Sequence, residues 1–463
     1  MKPALNTLLL YALLWPVTGH AASIELPRQG EFWLKLDALP LSASAPQTNA
    51  LRFDSLAALT EHALRERPES RAAWLAIQAE AARLDAAQAS YWPTLSAQFN
   101  FTQNKGLSSS GSSAPVLHRY GHSLSLAYVI YDFGARAADV DARRYQLIAS
   151  LLDSNRILQD TIAGVEAAYF SLLAARALAD AQVQQETALR ASLDAVEIRL
   201  RGGLASRADQ LRARAALAEA TLARQTAERD HAKAEAQLKQ AAGIAQTQAL
   251  QLGWELAPPA ALDASLLLAD LLAEAERQRP DLQSLQAAAA RARAEAERAR
   301  AARWPSLSLA ASTGRTFFIE EDRQASNTYN IGVNVSIPLF DGGRLAAEAR
   351  AAERDAERLQ EEAAAQRGMV ALEVTQAWHD MQHVQAQREG VALQFEAADE
   401  SARAAEARYA AGAGSLLELL TAQADLARAR QVRAQADSDW HLAFSRLGHT
   451  LGRLPLTNPQ GQP

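Results

Sequence analysis

His379-Asp380-Met381-Gln382-His383 places two imidazoles four residues apart. On a helix that spacing puts both on one face, superficially like the zinc-binding helix of a metalloprotease. Asp stands where such a helix carries its Glu base, and no third ligand is evident, so the stretch reads as an exposed face of a long helix. The chain contains no cysteine. That removes thiolate metal sites, disulfides, a Cys nucleophile and an N-terminal lipidated Cys. No G-x-x-x-x-G-K-[ST] phosphate cradle is present, so ATP hydrolysis is not expected of this chain. With 47 basic and 53 acidic residues the formal charge is −6, too acidic for a non-specific nucleic-acid binder. Ala287–Arg303 is a solvated helix surface rather than a basic arm, because Glu295 and Glu297 interleave its arginines. The expectation is a chain without catalytic residues, metal or cofactor, and not an enzyme.

The remaining distinctive chemistry belongs to residues that steer the backbone. In Ile337-Pro-Leu-Phe-Asp-Gly-Gly-Arg-Leu345, a strand runs straight into a long Ala/Glu/Arg-rich helical stretch. Before it, Ile331, Val333, Val335 and Ile337 alternate with Gly332, Asn334 and Ser336, the period of a strand with one apolar face. Pro338 has no N–H for a ladder. Asp341 can cap a helix N-terminus, and Gly342 and Gly343 allow a sharp change of direction. Asp132 and Gly134 are placed to do the same job earlier in the chain.

That earlier copy belongs to a duplication. Tyr91-Trp92-Pro93-Thr94-Leu95-Ser96 returns as Arg303-Trp304-Pro305-Ser306-Leu307-Ser308, and Tyr131-Asp132-Phe133-Gly134 as Phe340-Asp341-Gly342-Gly343. Pro68-Glu69 returns as Pro280-Asp281, and Arg199-Leu200-Arg201-Gly202-Gly203 as Arg408-Tyr409-Ala410-Ala411-Gly412. A period of about 210 residues is a duplicated domain rather than a solenoid. Repeat 1 is expected over 51–242 and repeat 2 over 265–452, with a strap at 243–264 and a tail at 453–463. Each repeat starts with two helices (Ser55–Arg65 and Glu69–Tyr91; Ser265–Gln278 and Asp281–Arg303). A hairpin follows (94–131; 305–339), then a long helix (Ala135–Arg201; Arg344–Ala411) and a return helix (Arg207–Ala242; Leu416–Gly448). The Ser- and Gly-rich stretch Gln103–Gly121 reads as a mobile loop between the first two strands.

Leu151, Leu158, Ile162, Val165, Tyr169 and Leu172 form a coiled-coil seam in the first long helix. Val370, Val374, Met381, Val384, Val391 and Phe395 form a looser one in the second. Each long helix, about 100 Å at 1.5 Å per residue, can lie against two shorter helices stacked end to end. Gly202-Gly203, Gly412 and Gly414 end the long helices, and Ser206 and Ser415 can cap those that return.

The first residues, MKPALNTLLLYALLWPVTGHAAS, read as a signal peptide. Lys2 precedes a mostly apolar run, and Gly19 and Ala21 suit a cut after Ala21. Residues 22–50 then form an extended segment. No later apolar run approaches the roughly 20 residues of a spanning helix. Four amphipathic strands suit a wall between lipid and water, but four cannot close a barrel, and an open edge in lipid leaves backbone groups unpaired. The chain is therefore expected to share a barrel with copies of itself.

The duplicated Trp-Pro, the Asp-Phe-Gly and Phe-Asp-Gly-Gly turns, and the tips Arg-Gly-Gly-Leu-Ala-Ser and Tyr-Ala-Ala-Gly-Ala-Gly-Ser together resemble the outer-membrane efflux, or TolC-like, family over about Leu51 to Leu454. The resemblance implies a mostly α fold with a membrane β-barrel. It implies a homotrimer with a 12-stranded barrel on an α-helical coiled-coil tunnel, placed in the bacterial outer membrane and reaching into the periplasm. The implied partners are a periplasmic adaptor (membrane fusion) protein, an inner-membrane transporter and outer-membrane lipid. The implied function is an exit duct for small toxic solutes. The duct of a type I protein-secretion system and a structural periplasmic coiled coil are the alternatives.

By the same resemblance, Asp209 and Tyr409 are partners that hold the entrance shut between the two helix hairpins, and Glu418 forms a carboxylate ring. Gly203, Leu204, Ser206, Gly412, Gly414 and Ser415 are tip residues that meet the adaptor. Gly414 stands where the family has a gating arginine, and Thr421 where it has a second acidic ring. Those departures imply a looser gate.

Overall fold

The computed structural model describes residues 51–107, 113–253, 267–319 and 324–453. The expected signal peptide, the segment 22–50, much of the strap and the tail after residue 453 lie outside these residues. The chain begins with β1 (Leu51–Phe53), α1 (Leu56–Glu66) and α2 (Pro68–Gln88), followed by β2 (Thr94–Leu107) and β3 (Ser113–Tyr131). The first long helix, α3 (Ala135–Arg201), turns back into α4 (Arg207–Ala241). After β4 (Leu250–Leu252), the series repeats as α5 (Leu268–Gln278), α6 (Pro280–Ala301), β5 (Ser306–Phe318), β6 (Ser326–Ser336), α7 (Arg344–Ala410) and α8 (Leu416–Thr450).

Both long helices have 67 residues and both return helices 35. The end-to-end arrangement comes from two equivalent arginines. Arg67, just before α2, donates to the Ala241 carbonyl at the end of α4 (3.3 Å), and Arg279, just before α6, to that of Thr450 at the end of α8 (3.5 Å). Thus α2 starts where α4 stops, with α3 alongside both, while α7 runs beside α6 and α8. α3 also packs on α6 and α8, which interlocks the repeats.

The two cores are copies. Leu59, Ala63, Val165, Tyr169, Leu172 and Leu238 form one. Leu271, Ala275, Val374, Trp378, Met381 and Leu447 form the other, each about 210 residues later. Along the return helices and the first part of α7 the seams are alanine. Ala213, Ala220, Ala227 and Ala234 are buried at every seventh residue of α4, as are Ala349, Ala356 and Ala363 on α7 and Ala422, Ala429, Ala436 and Ala443 on α8. A strict seven-residue repeat imposes a left-handed supercoil, and small side chains let the helices approach closely.

Three expectations change. Gln103–Gly121 is not a loop: β2 and β3 pair from Thr94↔Ala127 out to Leu107↔Ser113, and only 108–112 lie outside the described residues. The polar side chains there leave the backbone groups free to join a ladder, apart from the missing N–H of Pro115, which composition alone does not show. Part of the strap is a strand, with β4 pairing in parallel to β1. One helix, α3, does contain an 18-residue window of mean hydropathy 1.4. Val165, Tyr169, Phe170 and Leu172 of this helix belong to the first core, but only 28% of the window is buried within the chain.

Arg279 is also a half-buried charge junction. It donates to Asp281 (2.6 and 2.9 Å) and to Glu373 on α7 (2.5 Å). Burial disfavours the Asp281 carboxylate, but Arg279, the Leu282 backbone and Gln366 outweigh it and hold the group below its ordinary range. A depressed carboxylate stabilises the fold above its unfolded pKa, and that contribution is lost as pH falls through the folded value. Arg279→Met is expected to cost about 1–3 kcal/mol at pH 7, because Asp281 loses its charged partner and keeps only neutral donors in Gln366 and the Leu282 backbone. The gap should narrow at acid pH, where Asp281 can be protonated. Melting of the detergent-solubilised protein by circular dichroism at both pH values checks this, and a pH-independent gap would exclude Asp281 as the cause.

Candidate functional site: a membrane sheet and a tunnel entrance

The four long strands form one antiparallel sheet in the order β2-β3-β5-β6. Its register sorts side chains into rows. Leu95, Leu126, Ala311 and Ile331 share one row, and Ala97, Leu124, Thr313 and Tyr329 the next. The opposite face carries Ser96, Ser125, Ser312 and Asn330 in the row between these two. The apolar face is uncovered: Phe99 is 85% exposed, Ile331 72% and Tyr329 86%. A continuous apolar wall on one side and a Ser/Asn/Thr wall on the other is the pattern of a lipid-facing and a lumen-facing surface. Among the described residues both outer strands, β2 and β6, leave an edge without a partner.

The strand-to-helix turns are built alike. Asp341 accepts from the backbone N–H groups of Gly343 (2.9 Å) and Leu345 (2.8 Å), the latter chiefly lowering its pKa. Asp132 accepts from the backbone and guanidinium of Arg136 (3.0 and 2.9 Å). Gly134, Gly342 and Gly343 all have positive φ, where a side chain would be strained. Copy one puts Phe133 at the position of Gly342, with φ 53°. Its ring stacks on Trp304 of copy two (5.6 Å between centroids), and Trp304 (60%) and Trp92 (74%) both remain exposed. Strand β6 ends at Ser336, and Pro338 sits in the unpaired stretch that follows.

At the opposite end of the long helices, the hairpin tips also match. Gly203 and Gly412 have φ of 73°, and Leu204 N–H to Arg199 carbonyl (2.8 Å) repeats as Ala413 to Arg408 (2.9 Å). These are Schellman closures. Ser206 and Ser415 cap the return helices by accepting from Asp209 and Glu418 N–H (both 3.1 Å). Asp209 accepts from the Ser206 hydroxyl (2.7 Å) and backbone (3.1 Å), which hold its carboxyl below the usual range. Among the described contacts Asp209 thus bonds within its own hairpin, not to Tyr409. A side chain at Gly414 would come within 3.1–3.2 Å of Arg408 and Tyr409, so the bare backbone packs against the tip. The Thr421 hydroxyl is spent on the Leu417 carbonyl (2.8 Å).

What joins the two hairpins is Arg199. Its guanidinium donates to the carbonyls of Tyr409 (2.7 Å) and Ala410 (3.3 Å) and lies 4.1 Å from the Tyr409 ring centroid. Beneath it Val196 and Ala213 of the first hairpin pack on Tyr409, Leu416 and Leu419 of the second. The sequence reading missed Arg199. The available signal was its match to Arg408 in the repeat, which pairs with Glu418 (3.0 Å). His379 and His383 lie on an exposed face of α7, and among the described residues no three His, Cys, Asp or Glu gather to hold a metal.

Comparison with known proteins agrees with this architecture. Protein CyaE of Bordetella pertussis is 30% identical over 388 residues, covering 82% of this chain and 80% of the relative. The proteases secretion protein PrtF of Dickeya chrysanthemi is 27% identical over 156 residues, 33% of this chain and 34% of the relative. The open state of the Neisseria gonorrhoeae MtrE outer membrane channel superposes with a TM-score of 0.73 at 20% identity, covering 90% of this chain and 94% of that one. The model of the outer membrane efflux proteins matches residues 59–244 and 271–453, one block per repeat. With its two-faced sheet and duplicated helical rod, this chain belongs to the outer membrane efflux protein family and is an outer-membrane exit duct.

Proposed function

We propose that three copies of this chain close a single barrel of twelve strands and pass small toxic solutes, drugs or metal ions, to the exterior. A periplasmic adaptor and an inner-membrane pump deliver the cargo to the helical tunnel. The observation that carries this reading is the sheet of four strands that exposes an apolar face and leaves both edges open. In lipid each unpaired backbone group costs several kcal/mol, so β2 must meet β6 of a neighbour. A cleaved signal peptide, 1–21, would export the chain, with no lipid anchor on an N-terminal Cys. The tips dock the adaptor through Gly203, Leu204, Ser206, Gly412, Gly414 and Ser415, with the Leu204 side chain 82% exposed. Asp209, Tyr409 and Glu418 line the gate. The test is a heat-resistant trimer in the outer-membrane fraction together with conductance in planar bilayers. A monomer in the soluble fraction would overturn the reading.

Glu418, repeated three times around a threefold axis, would attract cations and be blocked by multivalent ones. Glu418→Ala is expected to weaken hexamminecobalt block of single channels by about tenfold or more. Unchanged block would place Glu418 outside the lumen.

A second reading, export of a polypeptide, is favoured by the likeness to a protein named for protease secretion. In a host lacking its own duct, restored drug resistance supports the first reading. Restored secretion of a large polypeptide without drug resistance supports the second.

A further inference from the structure

We propose that the outer end of the lipid-facing sheet surface binds the phosphate of a glycolipid headgroup in the outer leaflet, through His122 and Arg315. The inference rests on the barrel reading above. His122 and Arg315 are direct cross-strand partners, in one row with Phe99 on β2 and Asn327 on β6. All four lie on the apolar, exposed face of the sheet. From this row toward the helices that face carries only apolar side chains, threonine and tyrosine, so His122 and Arg315 are the first basic groups on it.

Their height fits a membrane boundary. Leu307 to Arg315 covers about 26 Å along β5, or about 20 Å along the membrane normal after the usual tilt. That is comparable with the roughly 25 Å apolar band of an outer-membrane barrel. The helices attach at the other end of these strands, so the row sits at the outer interface. Aromatic rings frame it, as in an interfacial girdle: Tyr120 stacks on Phe317 at 5.1 Å, and Arg315 lies 5.1 Å from the Phe317 ring. His122 is 6.2 Å from Phe99 and 6.3 Å from Phe317.

The charge on these strands has one sign. β2, β3, β5 and β6 contain Lys105, His118, Arg119, His122 and Arg315 and no Asp or Glu. The acids Glu320, Glu321 and Asp322 follow β5 in the sequence and lie outside the described residues. A guanidinium in a lipid-facing position needs a counter-ion, and its fork of donors matches phosphate oxygens. The imidazole beside it supplies a further donor. A hollow of about 450 Å³ lies here, lined by Phe99, His122, Leu124, Thr313, Arg315 and Asn327. Glycines at the neighbouring positions permit close strand approach. A Cβ on Gly121 would lie 2.3 Å from the Arg315 carbonyl oxygen, and one on Gly314 2.8 Å from that of His122.

The test uses the full-length trimer and native mass spectrometry. The probes are a monophosphorylated lipid A, the same glycolipid without phosphate, and inorganic phosphate as competitor. The phosphorylated lipid is expected to bind about tenfold more tightly than its dephosphorylated twin. H122Q/R315Q should erase that difference, and Asn334→Ala on the polar face should keep it. Equal retention of the two glycolipids by the wild type would overturn the inference without any variant. Displacement by millimolar inorganic phosphate would assign the site to free phosphate and overturn the lipid assignment. A chain that never reaches the outer membrane sinks the duct reading instead, so the two failures are distinguishable.

Discussion

Ile331→Arg is expected to abolish assembly of the duct, with the heat-resistant trimer falling at least tenfold in the outer-membrane fraction. Ile331 lies on β6 in the row of Leu95, Leu126 and Ala311, between the rows that bound the apolar face. A guanidinium at the midplane of a barrel's lipid face costs about 2–4 kcal/mol. Three copies raise that to about 6–12 kcal/mol per trimer, comparable with the whole stability of many folded proteins. The control is Asn330→Arg, one residue away on the polar face, which should assemble normally. Both changes put arginine at adjacent positions in the same strand, so only the direction of the side chain differs. Equal loss in both variants would mean that the apolar wall does not face lipid.

Arg199→Ala is expected to raise the resting conductance of the channel several-fold. Arg199 bonds two carbonyls at the C-terminal end of α7 and covers the Tyr409 ring, tying one hairpin to the other. Charge-assisted hydrogen bonds contribute about 1.5–3 kcal/mol each, and a cation–π contact about 0.5–2. Allowing for water replacing the lost donors, about 2–3 kcal/mol of closure disappears, a shift of about 30- to 150-fold in any equilibrium between joined and parted tips. Arg199→Lys keeps the charge but loses the fork and should fall between wild type and alanine. Single-channel recording reads both. Unchanged conductance in Arg199→Ala would show that this clasp is structural and does not hold the entrance.

The repeat, the long helices and the amphipathic strands were legible because each is written in local periodicity. Hydrophobic residues two, three, four or seven apart act on the backbone nearest them. The Trp-Pro stops and the Asp-Gly turns are equally local, since a missing N–H or a positive φ belongs to a single residue. The hairpin Gln103–Gly121 was illegible for the opposite reason. Its backbone pairs across the hairpin although its polar composition looks like a loop. The alanine seam escaped the sequence reading, because alanine carries little hydrophobic contrast, and only packing reveals that those residues are buried.

By itself, then, the sequence determined a duplicated rod-and-ribbon chain that cannot seal its own sheet, because periodicity and turn chemistry are properties of neighbouring residues. Tertiary structure alone decided what happens where the hairpins meet. The Ser206–Asp209 capping box is local, three residues apart, but Arg199 reached across to Tyr409, 210 residues away. A contact between residues so distant in the chain leaves no local pattern. It exists only once two long helices have the same length and bring their tips to the same height.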